Sequence, residues 1–313
     1  MKALLKPHAV AAGAGLSVIA PASFAQQARI DAGLDSLRSL GYSPVFLEHA
    51  QERGPLFFAG TREQRLADLH RAFAAPDSTM LMAIRGGYGS NYLLDGLDLE
   101  LIRNHPKPFF AYSDMTGLQL HLLDQLGLPA FHGPMLAADF YLNDGVHMPS
   151  FRATLAGDLY SVGSDEGLRL LKTGGAGRVR GILYGGCLSI LVAMLGTQWE
   201  PATEGKLLFL EDTSAKPYQI DRMLWQLRRA GKFEGVRGII FGEMLDCVSP
   251  GAPNDLLEKT ILSALEDFEV PTAIGLRSGH VSGQNVTLTF GVEAELQTGD
   301  ELRLSILEPA VIR

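Results

Sequence analysis

A chain of 313 residues can fold as two domains of ordinary size or one large one, and a hydrophobic share of 46% supplies a sizeable core. The formal net charge of −8, with no run of Lys and Arg, argues against nucleic acid and anionic membrane surfaces as partners. The two cysteines, Cys187 and Cys247, form no CxxC pair and have no His at ligand spacing, which argues against a zinc site and fits reduced thiols in a cytosolic setting.

The N-terminal 27 residues have two readings. Lys2 and Lys6 ahead of an apolar stretch, with Ser23 and Ala25 as small residues before a cut, fit a signal peptide. Pro7 and His8 interrupt that stretch early, and "LSVIAPAS" reads better as a buried first strand. "QQARIDAGLDSLRSLGY" then carries apolar residues at helical spacing up to Gly41, and "SPVFLEH" is a second strand. "TREQRLADLHRAFAAPD" is a helix with Thr61 as N-cap and Glu63 in its first turn. "TMLMAIRGGYGS" is a strand running into a glycine-rich turn, "NYLLDGLDLELIRNHP" is helical with a break near Gly96, and "FFAYSD" followed by "TGLQLHLLDQLG" is strand then helix. "LPAFHGPM" is a short extended piece. This alternation predicts a parallel sheet with helices on both faces. The stretch from Leu142 to Gly177 is rich in glycine and is expected to connect two domains. Beyond it, "VRGILYGGCLSILVAML" reads strand, turn, helix; "KLLFLED" and "VRGIIFGEM" are strands, each followed by a helix. "NVTLTFGVEAELQTGDELRLSI" reads as strands with a hairpin at Thr298-Gly299-Asp300. No run of 18 apolar residues occurs, so no membrane span is predicted.

In an open parallel sheet, functional groups collect beyond the carboxyl ends of the strands. Ser113 stands there, at a strand-to-helix corner, either as a helix cap or as a nucleophile on a sharp elbow. Asp114 and Thr116 can cap the helix in its place. The glycines usual in such an elbow are absent, since Ala111 and Met115 occupy their positions. A nucleophilic serine needs a base, and the base needs a carboxylate. His132 and His280 both lie beside glycines at strand ends, and spacing does not choose between them. Glu211 follows an apolar strand and has Asp212 as its immediate rival. The turn "RGGYGS" matches no nucleotide-binding fingerprint. It is a phosphate cradle, a tight turn, or an oxyanion hole, and only the last gains from Ser113.

Eight segments, in order, resemble the LD-carboxypeptidase family of serine peptidases: "VIAPAS", "AIRGGYGSNYLLDGLD", "FFAYSDMTGLQL", "FHGPM", "GGCLSILVAMLGT", "LFLEDTSAKPYQIDRMLWQLRRAG", "GIIFGEMLDC" and "GLRSGHVSGQNVTLTFGVEAEL". The family comprises murein tetrapeptide carboxypeptidases and microcin C immunity peptidases. The resemblance implies Ser113 as nucleophile, Glu211 as the group orienting the base, and His280 as the base, with N–H groups of Gly87 and Asp114 as the oxyanion hole. It also favours a first strand over a signal peptide. The implied α/β fold is a Rossmann-like N-terminal domain (1–145), a connection (146–177) and a swivelling-type C-terminal α/β domain (178–313), with the triad formed across them. The implied activity is hydrolysis of the amide between an L-centre and a C-terminal D-residue of a muropeptide, in the cytoplasm, by a homodimer needing no metal or cofactor. Arg85 is a candidate for the substrate carboxylate by charge, with buried pairing as its alternative, and Tyr88 and Cys187 are further candidate contacts. Three positions depart from the family: Cys187 where Asn is common, Ala111 where Gly is frequent, and Thr289 where Pro is found. Cleavage of an aminoacyl nucleotide, for which Trp199 would have to stack a base, and ligand binding without catalysis are the alternative functions.

Overall fold

The computed structural model describes residues 2–175, 177–299 and 301–313. The first elements are β1 (Gly15–Ile19), α1 (Gln27–Ser39), β2 (Ser43–Phe46), α2 (Arg62–Ala74), β3 (Met80–Ala83), a 3-10 turn (Ser90–Gly96), α3 (Leu99–Asn104), β4 (Phe109–Ala111), α4 (Thr116–Leu126), β5 (Ala130–His132), a π turn (Leu136–Phe140) and α5 (Met148–Ala156). Then follow β6 (Ser161–Val162), β7 (Arg169–Lys172), β8 (Arg178–Cys187), α6 (Leu188–Ala193), β9 (Lys206–Glu211), α7 (Pro217–Arg229), β10 (Gly238–Gly242), α8 (Leu256–Ala264), β11 (Thr272–Leu276), β12 (Leu288–Phe290), β13 (Glu293–Gln297) and β14 (Arg303–Ile306). Among the described residues no helix is long and apolar enough to cross a membrane.

Two compact units result. The first comprises 1–158, 283–291 and 309–313, and the second 159–282 and 292–308. The first unit is built on a six-stranded sheet in the order β12-β5-β4-β3-β1-β2. β1 to β5 run parallel, and β12 closes the edge antiparallel to β5. Interior parallel strands are covered on both faces, which is why "MLMA" of β3 is apolar throughout and fully buried. The order 2-1-3-4-5 reverses direction between β1 and β3, so the crevice at their carboxyl ends is where a ligand is expected. α2 begins at Thr61, whose side chain accepts from the Gln64 N–H while Gln64 returns a bond to the Thr61 N–H, a reciprocal cap.

The second unit holds an eight-stranded sheet in the order β6-β14-β13-β8-β9-β10-β11-β7. Its centre, β8 to β11, is parallel, and its flanks are antiparallel. β9 is buried along its whole length and delivers Glu211 at its carboxyl end.

Three expectations differ from this fold. The stretch 146–177 is no bare connection: it carries α5, β6 and β7, short elements whose glycine-rich flanks mask their pattern. The units are also not consecutive blocks divided at 145 and 177, because 283–291 and 309–313 return to the first unit. β12 accordingly pairs with β5. No turn separates the glycines of "YGGC" from their strand, since β8 runs through them and pairs Cys187 with Glu211 in register. The β13–β14 hairpin forms, with Asp300 of its expected turn lying outside the described residues.

Candidate active site

In the first unit, the chain leaves β4 at Ala111 and turns through Ser113 with φ +65°, a left-handed conformation that costs a β-carbon residue about 1–3 kcal/mol. Ser113 is half-buried between Tyr112 and Asp114, which are 5% and 4% exposed. No side chain caps the 3-10 turn Ser113–Met115 or α4 behind it, so the capping reading of Ser113 falls. Asp114 does not cap either. The Asp114 carboxylate instead accepts from the Ser90 N–H at 2.8 Å, and the Ser90 hydroxyl donates to the Asp114 carbonyl at 2.7 Å. This two-way clamp ties the glycine-rich turn to the corner that bears Ser113.

The turn itself is shaped around that serine. A β-carbon on Gly86 would fall 2.8 Å from Ser113 Cβ and 2.9 Å from its hydroxyl oxygen, so only glycine leaves Ser113 room. Gly87 has φ +108°. Tyr88 N–H donates to the Ser23 hydroxyl at 3.1 Å, and Ser23 N–H donates to the Gly86 carbonyl, so the ends of β1 and β3 are laced together. Arg65 adds a second tie: its buried guanidinium donates to the carbonyls of Pro21 and Gly89, both at 2.7 Å, and lies over the Phe58 ring. Burial pulls its pKa down, opposed by the negative charge of Asp114. Against this lacing, the N–H groups of Gly87, which is exposed, and of Asp114, which is buried, make no hydrogen bond among the described residues, and a buried donor is ordinarily partnered. They are available to an incoming oxyanion.

Arg85 is exposed and forms no ion pair among the described residues, which removes the buried-pairing alternative. Tyr88 is 42% exposed and packs with Phe57, Phe58 and Tyr92 in a cluster of mutually inclined rings. His132 is fully buried in β5 between the rings of Tyr112 and Phe290, a core position.

In the second unit, Glu211 is fully buried and its Oε2 lies 2.7 Å from His280 Nδ1. The same oxygen accepts from the His280 main-chain N–H at 3.1 Å. The carboxylate therefore sets both the ring's rotation and its tautomer: a proton on Nδ1 faces Glu211 and leaves Nε2 as the acceptor. Gly279, φ +90°, is required here, because a β-carbon would sit 2.6 Å from the Glu211 carboxyl carbon. Asp212 does different work. It accepts from the N–H groups of Ser189 and Thr213, each at 2.8 Å, and so holds the start of α6, while burial raises its pKa. Cys187 is buried, with its thiol 3.3 Å from the Ser189 hydroxyl and 3.9 Å from Asp212. Burial first, then the charges of Glu211 and Asp212, push that thiol well up, which keeps it protonated and unreactive. Trp199 lies between α6 and β9, outside any helix or strand. Among the described residues, no three His, Cys, Asp or Glu side chains gather as a metal-ligand set.

Sequence reasoning passed over Ser23, Arg65 and Ser90. The signal for Arg65 was present: it falls on the same helical stripe as Leu69, Ala72 and Phe73, where an arginine needs a buried partner.

Two halves of one family pattern match this chain. The N-terminal LD-carboxypeptidase domain matches residues 16–133 and the C-terminal domain matches residues 180–296. The chain belongs to the LD-carboxypeptidase family. Among its relatives, the murein tetrapeptide carboxypeptidase of Pseudomonas aeruginosa is 36% identical over 92% of this chain and 94% of its own length. A protein of Bacillus subtilis named probable murein peptide carboxypeptidase is 36% identical over 98% of this chain and 95% of its own. The solved muramoyltetrapeptide carboxypeptidase of Oxalobacter formigenes superposes with a TM-score of 0.82 at 28% identity, covering 94% of this chain and all but 1% of that one, that is 99%. The microcin C7 self-immunity protein MccF bound to glutamyl sulfamoyl guanosine superposes with a TM-score of 0.91 at 22% identity, covering 98% of this chain and 100% of that one, a likeness of fold. LD-carboxypeptidases of this family are serine peptidases, and the chain is a hydrolase of that type.

Proposed function

We propose that this LD-carboxypeptidase removes the C-terminal D-residue of a murein-type tetrapeptide, with Ser113 as nucleophile, His280 as base and Glu211 as the residue that orients it. The observation that carries the reading is the buried Glu211 carboxylate on His280 Nδ1, since it leaves Nε2 poised to take a proton. Family membership supports joining this pair to Ser113, which lies in the other unit of the chain. Nε2 of His280 removes the Ser113 hydroxyl proton as the oxygen attacks the scissile carbonyl. The N–H groups of Gly87 and Asp114 hold the resulting oxyanion. The tetrahedral intermediate collapses, and His280 returns the proton to the departing amine of the D-residue. Water then attacks the acyl-enzyme by the same route in reverse and regenerates Ser113.

The leaving residue carries a free carboxylate, and Arg85 is assigned to it because its guanidinium is exposed without a counter-ion among the described residues. Tyr88 lines the approach as an exposed ring one residue beyond Gly87. Cys187 is given no substrate contact, because its thiol is buried against Ser189 and Asp212. A cytoplasmic homodimer is proposed on the family resemblance, with light scattering of the purified protein as its check.

The test is mass spectrometry of purified protein, with Ser113→Ala beside it, on L-Ala-γ-D-Glu-meso-diaminopimelyl-D-Ala and on an aminoacyl sulfamoyl adenosine. Serine-dependent release of D-alanine is the expected outcome, with Ser113→Ala lower by about 10³-fold or more. Cleavage of the nucleotide compound alone would move the substrate to the aminoacyl-nucleotide class. Cleavage of neither would overturn the substrate assignment.

A further inference from the structure

A strained nucleophile needs surroundings that over-determine it. The Ser90–Asp114 clamp grips Ser113 from its C-terminal side. The grip on its N-terminal side comes from a buried carboxylate that neither motif nor spacing singles out. Asp139 sits in the π turn Leu136–Phe140 and is 4% exposed. Its Oδ1 accepts from the Tyr112 phenol at 3.3 Å and from the Asn285 side-chain amide at 3.0 Å, and its Oδ2 accepts from the Met135 N–H at 2.8 Å. Tyr112 is the residue before Ser113. Asn285 is fully buried and is built into the first unit through its own backbone, donating to the Gly145 carbonyl and accepting from the His147 N–H. It stands five residues after His280, near the head of the segment that re-enters the first unit. One carboxylate oxygen thus receives a bond from the residue ahead of the nucleophile and another from the strand of chain that leads from the base.

We infer that Asp139 is a positioning residue for catalysis: through the Tyr112 hydroxyl it fixes the backbone rotation that presents Ser113, and through Asn285 it fixes where the chain departs toward His280. The inference rests on Ser113 being the nucleophile. A buried carboxylate is a costly way to fill space, and an apolar side chain in a tyrosine-free pocket would pack as well. What the carboxylate adds is direction: the Tyr112, Asn285 and Met135 donors converge on it, and Tyr112 is the neighbour of the residue assigned as nucleophile. Asp139 does not touch the substrate in this scheme, so its loss acts on the chemical step and not on binding.

The experiment compares Tyr112→Phe, Asp139→Asn and the double variant with the wild type, measuring kcat and KM for D-alanine release at 25 °C together with thermal unfolding. Tyr112→Phe removes one hydroxyl and keeps the ring, so it stays informative if Asp139→Asn folds poorly. The expected result is a fall in kcat of about tenfold to a hundredfold for Tyr112→Phe, with KM within about twofold. In the double variant the two losses should be clearly less than multiplicative, because both disrupt the Tyr112–Asp139 bond. A Tyr112→Phe enzyme with wild-type kcat and only a lower Tm would overturn the inference, as would a rise in KM at unchanged kcat. Ser113→Ala, assayed in parallel, separates the two levels: full turnover there removes the nucleophile assignment itself, and the role of Asp139 with it.

Discussion

Ser113 shows how one residue can carry a conformational cost at the place where a function is proposed. Its left-handed φ of +65° would suit glycine, yet a hydroxyl is placed there, flanked by a glycine whose missing side chain makes the room. Ser113→Gly should therefore be more stable to denaturant than Ser113→Ala by about 1 kcal/mol, despite glycine's larger unfolded-state entropy, because only Gly relieves the strain. Both variants should lack turnover. Equal stability of the two would show that Ser113 is unstrained. The two neighbouring carboxylates likewise differ in what they touch. Glu211 and Asp212 are adjacent and both buried, but one bonds a catalytic-type imidazole and the other the start of a helix. Adjacent residues on a strand point to opposite faces, and sequence adjacency alone does not say which face meets the histidine.

At the scale of the element, α2 shows what periodicity conveys and where it stops. Its apolar stripe and its Thr61 cap are readable from the chain. Arg65 and Asp68 on that stripe read as interruptions until their partners are seen. Asp68 is 2% exposed and accepts from both the ring and the main chain of His49, at 2.9 Å each, and so pins the loop after β2 to the helix. The bond to Asp68 raises the His49 pKa above its ordinary value near 6.5, against the opposing effect of desolvation. A raised folded-state value means that the added stability is fully present below the unfolded value and is lost as pH rises through the folded one. The gap in Tm between wild type and His49→Gln should therefore be widest near pH 5.5 and narrow toward pH 8.5. A gap that does not change with pH would mean that the imidazole charge plays no part.

For the whole molecule, the division into units makes a prediction about fragments. The first unit takes β12 and the last five residues from far down the chain. β12 covers the edge of β5, and Ile312 exchanges main-chain bonds with Pro7 and Ala9. A fragment of residues 1–158 should thus leave a sheet edge open and the segment around Pro7 and Ala9 unheld. It should melt without a cooperative transition by circular dichroism, whereas adding 283–313 as a separate peptide should restore one; a sharp transition in the fragment alone would refute the dependence. The amino-acid sequence by itself determined the alternation of strands and helices, the parallel sheet of the first half, the Thr61 cap, and, through eight short segments in order, the family. Those are local patterns, and local patterns survive in a one-dimensional reading because propensity and burial act within a few residues. The tertiary structure alone decided that Ser113 has a left-handed backbone and is not a cap, that Glu211 and not Asp212 holds His280, that β12 belongs to the first sheet, and that Arg65, Ser90 and Asp139 are tied to the turns around Ser113. Each of these depends on hydrogen bonds between residues far apart in the chain, and their free energy is realised only when the fold brings donor and acceptor together out of water.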